Sequence, residues 1–563
     1  MPRILGAALL RRRPQVLATA AIIPRLQPYL DRITRKLAQS LKAKVLEGSY
    51  PNLQHLREYP AGIMMHNIFE RTEARLSKAF EFENLDHQIP DYALACKHSI
   101  CSYSAEKHLQ VLHLNEYSEN NSGAALNKVS GLTPLTQVLY EAYYGCKIQG
   151  NTSVSSGFNT FLNLLLCLFV ISTGIVFSLR RWRPFGFKRE SVFLLADFIN
   201  DQSDLELYKA LSEKGRIGLI VRRGLKISDD MASKLQDWRV YKPGDGKLDT
   251  RGLLSFLKNL FRDSFRLFFH FKGIESGLFY RFATLPYRRL VMRALFDYLR
   301  PDNFWARDPY SPEHIIRTQE LHRLGAKSHS ILHGFGSMTN LMAQFRYVSF
   351  DRFHIFGRFI FEEIYKNTWD RNMTSVPVGS FRGASNIAKY RTNRNPALRD
   401  ILITMSFLAR LNNPDARNII RGLATAFPER IIRLQVKFNF LDDKMTQDFI
   451  KACSDGLDNV IYVDGSFYDY IEISGYAFSD PSTALMECLQ YGLPAFMIDV
   501  VNFHQACYYR DYPELPIVST EQAVEKIKNL ENGTQSFNPE RYEQLICMTG
   551  SSPQKAICEG MNF

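Results

Sequence analysis

From Glu190 onward, short apolar runs alternate with longer amphipathic ones. "SVFLLADF" (191–198), "GRIGLIVRRG" (215–224) and "WRVYKP" (238–243) predict strands, with "LELYKALSEK" as a helix between the first two. A long helical zone follows, from "TRGLLSFLKNLFRDSF" to "YRRLVMRALFDYLRP". "PEHIIRTQELHRLGAKSHSILHGFGS" then predicts helix, Gly turn, strand and loop, "DRFHIFG" (351–357) another strand, and "MTSVPVGSFRG" (373–383) closes the block. A polar stretch, 385–400, predicts an interdomain linker, after which the alternation restarts. "ILITMSF", "RIIRLQVKFNF", "NVIYVDG", "YAFSD" and "PAFMID" are strands. "DARNIIRGLATAF", "DKMTQDFIKACSDG", "FYDYIEIS" and "STALMECLQYG" are helices. Strand–helix alternation with short loops predicts parallel, doubly wound sheets. The expected fold is therefore α/β, with two Rossmann-like domains at 190–390 and 391–540 and a C-terminal tail at 541–563.

Residues 1–157 read as mainly helical and of unknown role, with "YLDRITRKLAQSLKAKVL" the clearest amphipathic run. One segment breaks the soluble pattern. Phe161 to Leu179 holds 19 residues and no charge, about what a bilayer core requires. Residues 158–182 are therefore a candidate transmembrane or re-entrant helix, with an interfacial hairpin and a buried core helix as the other readings. Arg180, Arg181, Arg183, Lys188 and Arg189 follow it at once, which for a span puts the C-terminal side in the cytoplasm.

A chain of 563 residues exceeds what one core sustains and suggests roughly two to four domains. Its net charge of +13 points to an anionic partner. No run of Lys or Arg and no Arg-Gly repeat supports nucleic acid; a membrane surface or a phosphorylated substrate fits. The nine cysteines are scattered without a CxxC pair, so neither a zinc ribbon nor any other metal site is expected, and a reducing compartment suits them.

Candidate chemistry sits at strand ends, where open α/β sheets bind ligands. In "YAFSDPSTALMECLQYG", Asp480 is placed to cap the next helix, with Pro481 at its first position. Ser482 and Thr483 would fall in the first turn, whose free N–H groups favour an anion. Glu487, four residues after Thr483, lies on the same face and could read sugar or ribose hydroxyls. The same pattern also fits an ordinary capped helix with a solvent-facing Glu. In "SILHGFGSMTN", His333 ends a strand and is a candidate general base or hydrogen-bond donor to a phosphate. Gly334 and Gly336 would let backbone approach a ligand. Lys437 ends another strand and could offset a diphosphate; Arg382 is a candidate for the same task, and His504 for lining the cleft. There is no HExxH, GxSxG or P-loop.

With "LHGFGS" in one half and "SDPSTALMECLQYGLPAFMID" in the other, residues 190 to 535 resemble GT-B glycosyltransferases. The closer likeness is to bacterial capsule and lipopolysaccharide transferases and to CDP-glycerol glycerophosphotransferases. The resemblance implies two Rossmann-like domains facing a cleft, the first for an acceptor and the second for a nucleotide-sugar co-substrate. It places Ser482, Thr483 and Glu487 on the donor; Asp480 and Lys437, from the strand-end reading, are the further donor-binding candidates. His333 is the catalytic candidate, with Gly334 near the acceptor or diphosphate. No bound metal or cofactor is implied, because helix ends and basic groups neutralise the leaving diphosphate in that family. The expectation is glycosyl transfer to a glycan or lipid-linked acceptor in surface polysaccharide synthesis, by an enzyme at the cytoplasmic face of an anionic membrane. A CDP-polyol phosphotransferase of the same fold and a non-catalytic, membrane-anchored assembly protein are the alternatives.

Overall fold

The computed structural model describes residues 16–18, 44–46, most of 73–86 and 92–103, 129–130, 134–145, 156–197, 202–221, 238–306, 309, 311–332, 334, 343–383, 387, 390–391, 397–500, 508–548 and 553–561. The chain forms two compact units. The first comprises Met1–Phe198, Lys214–His329 and Met342–Asp351; the second comprises Ile199–Glu213, Ser330–Leu341 and Arg352–Phe563. The expected architecture is present: α/β, with parallel sheets, a helical N-terminal region and one long apolar helix.

In the first unit, β1 (Val16–Ala18) lies between β2 (Lys44–Leu46) and β3 (Val129–Ser130) in a short parallel ladder. Lys44–Leu46, the end of the run read above as an amphipathic helix, is thus strand; its other residues lie outside those described. A larger ladder follows, with β4 (Val192–Ala196) between β5 (Ile217–Ile220) and β7 (Pro301–Ala306), and β6 (Arg239–Tyr241) on the far side of β5. All four residues of β5 are buried, as expected for a parallel strand covered on both faces.

Three long helices of this unit pack together: Ser156–Arg181, Thr250–Phe271 and Ser276–Leu299. Asp249 caps the second, accepting from the N–H of Gly252 at 2.6 Å. Their shared core holds a buried charge network. The Tyr92 hydroxyl donates to Asp263 at 2.9 Å, and Arg289 meets Asp263 at 3.0 Å and Glu320 at 3.6 Å. Arg289 is only 2% exposed, so its charge depends on these two carboxylates.

β8 (Lys327–Ile331) comes next in the chain, and in the second unit β9 (Arg352–Ile355) and β10 (Thr374–Pro377) pair in parallel. A six-stranded parallel sheet then runs in the order β13-β12-β11-β14-β15-β16. These strands are β11 (Ile401–Met405), β12 (Ile432–Val436), β13 (Val460–Tyr462), β14 (Tyr476–Ser479), β15 (Ala495–Ile498) and β16 (Pro516–Ile517). That is the Rossmann order 3-2-1-4-5-6, whose direction of winding reverses between β11 and β14. β11, β14 and β15 are buried at every residue, and helices Pro414–Ala426, Lys444–Ser454 and Thr520–Glu531 contribute to their core. Tyr390, within the stretch read as a linker, is buried and donates to the Ile471 carbonyl at 2.8 Å.

Glu190, just before β4, stitches the edge of the larger ladder in the first unit. It accepts from Arg216 at 2.5 Å, Arg239 at 2.7 Å and Tyr241 at 3.0 Å, and also from the Tyr298 hydroxyl. Burial opposes its ionised form, but the bonds from Tyr298, Arg216 and Tyr241 and the Arg216 charge outweigh this and lower the carboxyl from 4.5 to about 2. A depressed folded-state pKa stabilises fully above the unfolded value, and that stability is lost as pH falls through the folded value. Chemical unfolding from about pH 5 to about pH 3 should therefore show a steeper acid loss of stability in the wild type than in Glu190→Gln. Equal slopes would count against this role.

Candidate functional site

The C-terminal ends of β11, β12, β13 and β14 lie along one edge of the second unit's sheet, because the strands are parallel. The segment after each strand therefore reaches the same region. A cavity of about 760 Å³ opens there, within the size range of small-molecule sites. Thr404 to Ser406 line it at the end of β11, Lys437 and Phe438 after β12, Val463 to Asp469 after β13, and Pro481 to Ala484 with Glu487 after β14. Ser203, Glu206, Gly334, Arg382, Gly383 and Tyr462 also line it.

Of the residues singled out from the sequence, Gly334, Arg382, Lys437, Ser482, Thr483 and Glu487 come together here. The two sequence motifs touch directly: a Cβ built on Gly334 would lie 2.7 Å from Thr483 Oγ1. A side chain at this position would have to displace the Thr483 hydroxyl. His333, Gly336 and His504 lie outside the described residues.

Asp480 does not cap the helix that follows it, contrary to expectation. The helix spans Thr483–Gln490 with Ser482 as its N-cap, so Pro481 precedes it rather than starting it. The fully buried Asp480 carboxylate instead accepts the backbone N–H groups of Ser406 at 2.9 Å, Phe407 at 2.5 Å and Leu408 at 3.2 Å. It caps the short helix Phe407–Arg410 after the neighbouring strand, because β14 pairs with β11 and brings that helix start beside it. Burial pushes its pKa above the ordinary value, against the pull of the three N–H groups. Ser482 makes no side-chain capping bond; its hydroxyl sits 2.9 Å from that of Ser479. The first turn of Thr483–Gln490 therefore presents its positive end to the cavity without a side-chain cap.

Glu487 is buried, at 5% exposure, rather than solvent-facing. It accepts from Ser380 Oγ at 2.7 Å and from the Tyr468 hydroxyl at 3.2 Å. Burial first, and then the Glu487 charge, raise the Tyr468 pKa well above its usual value, so the phenol stays a donor. The backbone N–H of Ser380 donates to Gln490 Oε1 at 3.0 Å, and the Tyr491 hydroxyl donates to the Gly383 carbonyl at 2.6 Å. These bonds clamp the segment carrying Arg382 onto the helix carrying Glu487. Gly379 and Gly383 make the clamp possible with positive φ values of 72° and 61°.

Sequence reasoning missed Ser203, Glu206, Thr404, Ser380 and Tyr468. The segments after β11 and β13 were accessible in principle, since parallel strands place every such segment at one edge. Ser203 and Glu206 come from helix Gln202–Ser212, distant in the chain, and carry no comparable signal. The Thr404 hydroxyl is buried without a hydrogen-bond partner. A buried unpaired hydroxyl costs free energy unless a ligand or water satisfies it. Among the described residues, no group of three or more His, Cys, Asp and Glu side chains is arranged to hold a metal ion.

No family model matches the chain, and no curated protein matches its sequence. Solved structures alike to it include an epimerase, MurG and a wall teichoic acid polymerase. A UDP-GlcNAc 2-epimerase from Neisseria meningitidis bound to UDP-GlcNAc matches at TM-score 0.38 and 10% identity, over 66% of this chain and 98% of its own. MurG from Acinetobacter baumannii matches at TM-score 0.38 and 10% identity, over 66% and 99%. The wall teichoic acid polymerase TagF matches at TM-score 0.39 and 12% identity, over 72% and 97%. At TM-scores below 0.5, these likenesses do not bear on what this chain binds.

Removing the Asp480 carboxylate should leave three N–H groups without their acceptor, that of Leu408 buried and those of Ser406 and Phe407 partly so. Asp480→Ala should cost about 2–4 kcal/mol in chemical unfolding, at roughly 1–3 kcal/mol per unsatisfied buried donor with partial relaxation. Asp480→Asn keeps an acceptor oxygen and should recover part of that loss. An alanine variant as stable as the wild type would rule out the cap.

Proposed function

We propose that the second unit binds a nucleotide-activated sugar and that the protein is a GT-B glycosyltransferase. It would move the sugar to a glycan or lipid-linked acceptor in surface polysaccharide synthesis, at the cytoplasmic face of a membrane. One observation carries this reading: Gly334, Arg382, Lys437, the Ser482–Thr483 turn and Glu487, which span some 150 positions of sequence, converge on one cavity at a topological switch point.

The lining matches the parts of such a donor. Arg382, Lys437 and the start of helix Thr483–Gln490 offer positive charge and N–H groups to phosphates. Phe438 and Tyr462 offer aromatic surface for a base, Phe438 being 83% exposed. Carboxylates outnumber cations in the wall, with Glu206, Asp464, Asp469 and Glu487 against Arg382 and Lys437. A purely anionic ligand would be repelled by that balance. A ligand joining phosphates to many hydroxyls is served by it, since carboxylates accept from hydroxyls. Glu487, held by Ser380 and Tyr468, is the acceptor proposed for sugar or ribose hydroxyls. The fixed dipole and cations would take up charge on the leaving diphosphate, and His333 is proposed as the base.

A panel of nucleotides and nucleotide sugars should raise the melting temperature of the wild type through linkage, with one ligand prominent. Glu487→Ala should weaken that ligand at least tenfold, which is about 1.4 kcal/mol. His333→Ala should abolish transfer while leaving donor binding in place. No shift with any ligand would favour a non-catalytic protein, and release of CMP with a polyol phosphate product would favour the phosphotransferase. Unchanged transfer in both variants would overturn the site.

A further inference from the structure

Helix Ser156–Arg181 is neither a lone span nor an enclosed core helix. One face is bound to the first unit along its whole length. Near its start, the Asn163 side chain donates to the carbonyls of Lys272 and Ile274 at 3.1 and 2.9 Å. In the middle, Gly174 lies directly against Leu260, and Phe177 stacks on Phe256 at 5.7 Å. Just past its end, the Trp182 indole donates to Thr250 at 3.4 Å. The opposite face is exposed among the described residues. Phe161, Leu165, Leu168, Phe169, Val176 and Leu179 recur at helical spacing and are all 43–63% exposed. Only a third of the most apolar stretch is buried.

The partner helix Thr250–Phe271 repeats the pattern. Leu254, Phe261 and Phe269 are exposed away from the core, and Phe265 stacks between Phe261 and Phe269 at 6.5 and 6.3 Å. The middle of the same helix carries Lys258, Arg262 and Asp263. Because the two helices pack together, a crossing by the first would carry these charges into hydrocarbon, which bilayers strongly disfavour. The apolar stripe ends in Arg180, Arg181, Arg183, Lys188 and Arg189, with Trp182 and the fully exposed Phe185 among them. A basic cluster with aromatic side chains beside an apolar stripe complements an anionic lipid interface.

We propose that the bare faces of helices Ser156–Arg181 and Thr250–Phe271 dock the protein in the plane of an anionic bilayer, one leaflet deep, without crossing it. The helix is about 39 Å long at 1.5 Å per residue. Lying flat, it would place its whole stripe at the boundary of headgroups and acyl chains, with its other face still on the protein. The proposal stands apart from the donor site, since vesicle binding is read without any nucleotide.

The test uses full-length protein in flotation with phosphatidylcholine vesicles, with and without phosphatidylglycerol. The wild type should float with the anionic vesicles and much less with the neutral ones, and added salt should weaken the binding. Phe161→Glu with Phe169→Glu, and separately Arg180→Gln with Arg181→Gln and Arg183→Gln, should each weaken it at least tenfold. Unchanged melting temperatures and nucleotide response would show the variants folded. Depth is read with Phe161→Trp and Phe169→Trp against nitroxide lipids, relative to the parent's own tryptophans. In-plane docking expects both to be quenched alike by the shallow label. Strongest quenching of Phe169→Trp by the deep label would establish a span and overturn the proposal. So would absence of vesicle binding, binding indifferent to the glutamate pair, or a dimer that the glutamate pair dissociates in protein that does not float.

Discussion

The Asp480 carboxylate is the tie on which the candidate site depends. It leaves the end of β14 and accepts three consecutive N–H groups at the start of the segment after β11. That fixes the two neighbouring strand ends on either side of the point where the sheet's winding reverses. Ser482 is left as N-cap of the next helix without a capping bond of its own, and the helix start faces the cavity. A carboxylate spent on an adjacent segment leaves the helix dipole open to a ligand. Had Asp480 capped its own helix, its negative charge would have occupied the place where a phosphate is proposed to sit.

A second layer of bonds fixes what faces that helix. Ser380, Gln490, Tyr468 and Tyr491 join the Arg382 segment to helix Thr483–Gln490. The cation and the carboxylate most suited to a nucleotide sugar are thereby held by groups that are themselves buried and hydrogen-bonded. Such support keeps a polar site organised before its ligand arrives, which is the condition for selective recognition.

In the first unit the governing constraint is different. Its helices bury a charged network around Arg289 on one side and carry apolar side chains outward on the other. The buried ions compensate one another; the outward phenylalanines and leucines of the two helices are exposed among the described residues. A soluble surface seldom exposes a continuous apolar stripe of this length, and one that ends in a basic cluster suits a lipid interface.

Strand and helix alternation was legible from Glu190 onward because parallel strands, covered on both faces, must be apolar at nearly every position, as in "ILITM" and "AFMI". Ser482, Thr483, Glu487 and Lys437 were legible as site candidates for the same reason: parallel strands put their ends at one edge. The partner of Asp480 was not legible, since a capping carboxylate looks the same whether it serves its own helix or one some 70 residues away. Nor was the burial of Glu487, which depends on Ser380 and Tyr468 arriving from other segments. The apolar run around Phe169 was plain in the sequence, but composition alone cannot distinguish a span from a helix with one face bound. The sequence by itself determined which residues are apolar, where most strands and helices beyond Glu190 fall (β7 and β16 were not foreseen), and which polar groups end them. Only the tertiary structure decided which groups meet and which faces stay bare, because hydrogen bonds and packing between distant segments leave no local periodic trace.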